Sequence, residues 1–131
     1  MAIKSFSNIY TRDALKKLFP DARTDRFFDA LLGDPTEGAY DISLEFKGHT
    51  RNQLHFEFHL RQRPGKCLAC HLTAGLPQVF AGHSIIDING LVKEIEQLLD
   101  GQAGCAGWEL GATKTVRRDL HVITLVIYLH D

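Results

Sequence analysis

The sequence predicts an α+β fold, a two-layer sandwich in which helices cover one face of a mainly antiparallel, five-stranded sheet. Apolar residues recur at helical spacing over 14–19, 27–32 and 91–99. Over 40–47 and 54–61 they alternate with polar residues. The chain has 131 residues, 44% of them hydrophobic, which suits a single domain over residues 1–131. The elements follow in the order ααβββαββ.

Three helices are predicted from apolar stripes and from the residues at their ends. Asp21 or Thr24 is expected to cap the second helix, and Gly33 to end it. Ser84–Asp87 resembles a capping box at the start of the third helix. The three stripes are Ala14, Leu15, Leu18 and Phe19; Phe27, Phe28, Leu31 and Leu32; and Leu91, Val92, Ile95, Leu98 and Leu99.

Five strands are predicted where apolar and polar residues alternate. The first is expected to end at Gly48, and the second and third to pair as a hairpin across the Pro64–Gly65 turn. The predicted strands are Tyr40–Lys47, Leu54–Arg61, Lys66–Thr73, Trp108–Thr115 and Leu120–Leu129.

The last strand is apolar on both faces. Residues Leu120, Val122, Thr124, Val126 and Tyr128 form one face, and residues 121, 123, 125, 127 and 129 form the other. A two-layer domain covers only one of them with helices. The second face is therefore either covered within the monomer or meets a second chain, a terminal segment or a ligand. We expect a homodimer.

The order and size of the elements resemble those of the type III secretion chaperones, which are small cytoplasmic homodimers that hold unfolded effector segments. The resemblance is one of topology and size.

Composition excludes several classes of partner. The formal net charge is −1 and the pI about 6.6. The composition therefore shows no sign of the clustered positive charge that binds nucleic acid or an anionic membrane. The sequence has no apolar run of membrane-spanning length and no secretory signal at Met1–Asn8, so we expect a cytoplasmic protein. Nucleotide-binding, metalloprotease and serine-hydrolase motifs are absent, and whether the protein is an enzyme stays open.

The most distinctive motif is Cys67-Leu68-Ala69-Cys70-His71, which resembles the C-x-x-C-H haem-attachment site of c-type cytochromes. That resemblance implies thioether bonds from Cys67 and Cys70 and an axial ligand in His71. The lack of an export signal argues against covalent haem. A structural zinc knuckle would need a second ligand pair, which the sequence lacks.

The predicted hairpin gives a different metal site. It would place His55, Glu57 and His59 beside Cys67 and His71 on one sheet face. Two His at i and i+4 of a strand are about 13 Å apart, so only one of them would bind a given ion, together with cross-strand ligands. Imidazole and thiolate ligands suit zinc or iron. The alternative is a solvated sheet face.

The sequence therefore supports two hypotheses. The first is a small cytoplasmic binding or adaptor domain, a homodimer that uses the second sheet face to contact itself or a protein partner. The alternative is a zinc- or iron-binding protein with ligands among residues His55, His59, Cys67, Cys70 and His71. Cys105, in a Gly/Ala-rich loop, is either a reactive thiol or a partly buried structural one.

Overall fold

The α+β class is confirmed by a computed structural model, which describes residues 9–33, 40–50, 52–65, 76–82, 86–99 and 104–129. Helices pack on one face of an antiparallel sheet. In chain order the elements are α1 Arg12–Leu18, α2 Asp21–Leu32, β1 Tyr40–Thr50, β2 Gln53–Gln62, α3 Leu76–Gly82, α4 Ile88–Leu98, β3 Cys105–Arg117 and β4 Leu120–Leu129. None of the helices in these ranges is long and apolar enough to cross a membrane.

The sheet has four strands over the described residues, in the order β1-β2-β4-β3, rather than the five predicted. The predicted third strand, Lys66–Thr73, lies outside the described ranges. Its expected hairpin with β2 is wrong, because β1 pairs along one edge of β2 and β4 along the other, from Leu54 to Arg61. A strand has only two edges, so β2 has none left for a third partner.

The remaining strand predictions differ from the structure mainly at their ends. β4 has the predicted bounds, and β3 begins three residues earlier than predicted, at Cys105. β1 continues past Gly48 to Thr50, because the glycine, at φ 144°, accommodates a register shift after Phe46 instead of ending the strand. Helix α3 was not predicted.

Helix ends follow local chemistry. Thr11 caps α1 by accepting the N–H of Ala14, and Gly33 ends α2 in the left-handed conformation, as predicted. Pro20, rather than Asp21 or Thr24, precedes α2 as its cap residue, so that cap prediction is wrong. Asp87 caps α4 by accepting the N–H of Gly90, and Ser84 lies outside the described residues.

The core lies between the helices and the inner face of the sheet. Large side chains from all layers are fully buried there: Phe27, Leu54, Phe56, Phe58, Leu60, Phe80, Leu91, Ile95, Ile123, Leu125 and Ile127. Phe58 is the centre of an aromatic group, with its ring edge-on to Phe19 at 5.6 Å and to Phe80 at 5.4 Å. Burial of this face fixes the sheet register, because a slip of one residue would expose it.

Helix α2 is attached to the outer strand β1 by one buried hydroxyl. Thr24, 1% exposed, donates to the carbonyl of Ile42 and accepts the N–H of Ile42, each at 3.3 Å. Both backbone groups of Ile42 therefore point away from β2, toward the free edge of the sheet, and the Thr24 side chain pairs with them. This contact blocks part of an edge that would otherwise be open to another strand.

Candidate functional site

The candidate site is the sheet face opposite the helices, here called the open face. In the described part of the chain no helix packs on it. The pairing registers place its side chains in rows across the four strands. From β1 to β3 these rows are Asp41, Arg61, Leu120 and Arg117; Ser43, His59, Val122 and Lys114; Glu45, Glu57 and Thr124; and His55, Val126 and Glu109.

The expected doubly apolar strand is β4, which lies in the middle of the sheet. Its inner residues are buried under the helices. On the open face Leu120 and Val122 are also buried, at 6% and 3% exposure, whereas Val126 and Tyr128 are half-buried. One end of the strip is therefore closed to solvent, and the other end remains partly accessible.

His55, Glu57 and His59 lie side by side on the open face of β2, as the alternation predicted. The Nε2 atom of His59 is 2.9 Å from Oε1 of Glu57. Glu57 also pairs directly across the strands with Glu45, which places two carboxylates in one row. The His59 contact offsets part of that repulsion when the imidazole is protonated.

Two imidazole nitrogens on this face have no hydrogen-bond partner among the residues that the structure describes. They are Nε2 of His55 and Nδ1 of His59. These two atoms are inaccessible to solvent, whereas each histidine as a whole is half-buried. Buried polar atoms in folded proteins are nearly always hydrogen-bonded to protein, water or a ligand. Some additional group is therefore expected to contact these nitrogens in solution.

The other predicted metal ligands, Cys67, Cys70 and His71, lie outside the described residues. The hairpin that was expected to place them beside His59 would need a free edge of β2, and β1 and β4 pair along both edges. Among the residues that the structure does describe, no three His, Cys, Asp or Glu side chains are grouped closely enough to hold a metal ion.

Cys105 is the first residue of β3 and faces the helices. Its backbone N–H donates to Oε2 of Glu96 at 2.6 Å, and its side chain packs against the core. Burial and the neighbouring Glu96 carboxylate raise the pKa of the thiol to about 11. The thiolate is therefore disfavoured at neutral pH, which supports the structural interpretation of this thiol over the reactive one.

Three other features were missed or only partly anticipated. The Trp108 indole N–H donates to Oδ1 of Asn89 at 2.8 Å, beside a cleft of about 460 Å³ between α4 and β3. On the open face the Tyr128 hydroxyl donates to Glu109 at 2.7 Å, and this hydrogen bond raises the pKa of the tyrosine. The third feature is the pair of Glu45 and Glu57, which depends on how β1 pairs with β2. Alternation within each strand does not reveal that pairing.

Comparisons with protein-family models, with curated proteins and with solved structures gave no significant match. What this chain binds has therefore to be inferred from its own residues.

Proposed function

We propose that this protein is a binding or adaptor domain that forms a homodimer through its open face. The observation that carries the proposal is the asymmetry of the sheet: helices cover one face, while the other presents the half-buried side chains of Val126 and Tyr128 on its central strand. Apolar side chains at the centre of a surface and polar ones around them are typical of an interface.

The size of the face suits such a contact. Four strands about 4.8 Å apart are about 19 Å wide, and ten residues of β4 are about 33 Å long. Their product is on the order of 600 Å² before side-chain relief is added. A standard interface buries about 800 Å² on each partner, so two open faces in contact would form an interface of ordinary size.

The charges on the face are compatible with self-association. Glu45 and Glu57 lie on the β1 side of the sheet, and Lys114 lies on the β3 side, one row away. A two-fold axis that lies between the two faces and runs parallel to the strands brings one copy's β1 side toward the other's β3 side. There Lys114 lies one row from the carboxylates, and Glu109, which accepts from Tyr128, lies one row away on the other side. Opposed charges of this kind give orientation more than affinity.

Sedimentation equilibrium tests the dimer. Val126→Lys places a charge in the centre of the open face, whereas Val116→Lys makes the same change at a 57% exposed position near the β3–β4 turn. We expect wild-type protein and Val116→Lys to have the mass of a dimer, and Val126→Lys to have that of a monomer with an unchanged circular dichroism spectrum. A monomeric wild type, or the same mass for both variants, would contradict the proposal.

The second candidate function is zinc or iron binding, and the two partnerless imidazole nitrogens of His55 and His59 favour it. A neutral imidazole nitrogen that lacks a hydrogen-bond partner has a lone pair available for a metal. One of these histidines would act with ligands among Cys67, Cys70 and His71.

Elemental mass spectrometry on untagged protein, purified without chelator, tests this candidate. The result expected is near-stoichiometric metal that is lost in His55→Ala or in His59→Ala and retained in His49→Ala. His49 is a suitable control because it lies on the neighbouring strand β1 and is exposed. Metal-free wild-type protein would dispose of the site.

A further inference from the structure

A pocket of about 290 Å³ lies where α1 meets the free edge of β1. Helix α1 contributes Arg12, Leu15 and Lys16, which share one face, and Phe19 follows directly after the helix. The strands contribute Leu44 and its neighbours on β1, together with Arg61 of β2. The volume is at the lower limit of small-molecule sites, roughly 300–1,000 Å³, and suits a short piece of chain.

Among the described residues, nothing pairs with the backbone of Leu44 at this edge. Thr24 contacts both the N–H and the C=O of Ile42, which shows that these groups point away from β2. Backbone direction repeats every second residue along an antiparallel strand, so the N–H and C=O of Leu44 point to the same free edge. No hydrogen bond to either group occurs in the described part of the chain.

The positive charges around the pocket are also unpaired. Arg12, Lys16 and Arg61 form no ion pair among the residues that the structure describes. The nearest acid to Arg61 across the strands is Asp41, and its carboxylate is bonded to Arg63 at 3.0 Å instead. Three cations therefore lack a partner at the site where a strand edge is free.

We propose that this edge binds an extended acidic peptide segment, which pairs with the backbone of Leu44 and directs a carboxylate toward Arg12 and Lys16. Main-chain hydrogen bonds would supply the affinity, as in other cases of strand addition, and the carboxylate of the peptide would supply the specificity. The apolar side chains of Leu15 and Phe19 would contact the stem of the acidic residue.

The pocket favours a peptide carboxylate over phosphate for two reasons. Asp21 and Glu45 also line it, which leaves an excess of one positive charge, a match for a single carboxylate rather than for a doubly charged phosphate. The free C=O of Leu44 needs a donor as well, which a peptide N–H provides and a phosphate dianion does not. Glu45 and Arg61 belong to the open face as well, so the peptide is tested on Val126→Lys beside the wild type, and equal binding by both separates this site from dimerisation.

Fluorescence anisotropy with a labelled hexapeptide of alternating glutamate and valine tests the proposal. Two control peptides are needed: one with lysine in place of glutamate, and one with N-methylated valines that cannot donate to a strand edge. Lys16→Glu is compared with Lys17→Glu, because Lys17 is equally exposed in the same helical turn but lines a different groove, between α1 and α4.

We expect the acidic peptide alone to bind, Lys16→Glu to weaken it about fivefold or more, and Lys17→Glu to change it less than about twofold. The Leu44 amide, followed by hydrogen exchange, is expected to become protected on binding. Four results would overturn the proposal: no binding up to about 1 mM, equal effects of the two variants, equal binding of the N-methylated peptide, or displacement by inorganic phosphate at a concentration equal to that of the peptide.

Discussion

The Thr24 hydroxyl is predicted to contribute measurably to stability through the backbone of Ile42. In Thr24→Val the side chain keeps its shape but loses the hydroxyl, so the N–H and the C=O of Ile42, a residue 1% exposed, both lose their partner. Leaving a buried backbone group unpaired costs about 1–3 kcal/mol. Both contacts are 3.3 Å long, near the upper limit for a hydrogen bond, so we take about 1 kcal/mol for each and about 2 kcal/mol in total.

Urea unfolding measures this cost, and Thr24→Ser is the matched control. The serine keeps the hydroxyl and loses one buried methyl group, at a cost of about 1 kcal/mol. With a slope of about 2 kcal/mol per molar urea, the valine variant is expected to unfold about 1 M earlier than wild type and the serine variant about 0.5 M earlier. Faster amide exchange at Ile42 is expected only with valine. A valine variant as stable as wild type, or more stable than the serine variant, would refute the reasoning.

Three further predictions concern single contacts. Alkylation of Cys105, followed by mass spectrometry of its peptide, is expected to have a pH midpoint near 11. Glu96→Gln is expected to lower this midpoint, because the raised pKa of the thiol depends in part on the Glu96 carboxylate. An ordinary thiol midpoint in the wild type would contradict this. Gly111→Ala is expected to lower the free energy of unfolding by about 1–3 kcal/mol, because the new Cβ overlaps the Thr124 hydroxyl. Adding Thr124→Ala to the same chain is expected to recover most of that loss. Tyr10→Phe is expected to cost about 1 kcal/mol in the same assay, because its buried hydroxyl donates to a main-chain carbonyl of α4 at 2.9 Å; full stability would show that this bond contributes nothing.

The fold class was predictable because burial on one face imposes a period on the sequence. The stripes of α1, α2 and α4 and the alternation of β1 and β2 come from contact with one core, except that Leu98 of α4 is 39% exposed. What periodicity does not contain is the pairing of strands distant in the chain. The assumption that neighbours in sequence pair led to a hairpin after β2, whereas that edge is occupied by β4, which begins 58 residues after β2 ends. Helix α3 is as long as α1, and its Leu76, Val79 and Phe80 have helical spacing, so this signal was present and was missed.

The candidate site was predictable in the same limited sense. Alternation placed His55, Glu57 and His59 together on one face, and the structure confirms that placement. Their neighbours depend on register and could not be read from the sequence, so Glu45 opposite Glu57 was missed. The unpaired backbone at Leu44 is a property of the sheet edge, and it is visible only once β1 is known to be an outer strand.

The most direct test of the open face as a contact surface is an isotope-filtered nuclear Overhauser measurement on an equal mixture of labelled and unlabelled protein. The account predicts intermolecular contacts to the methyl groups of Val126 and the ring of Tyr128. Contacts confined to helix residues, or none at a concentration where the protein is dimeric, would contradict it.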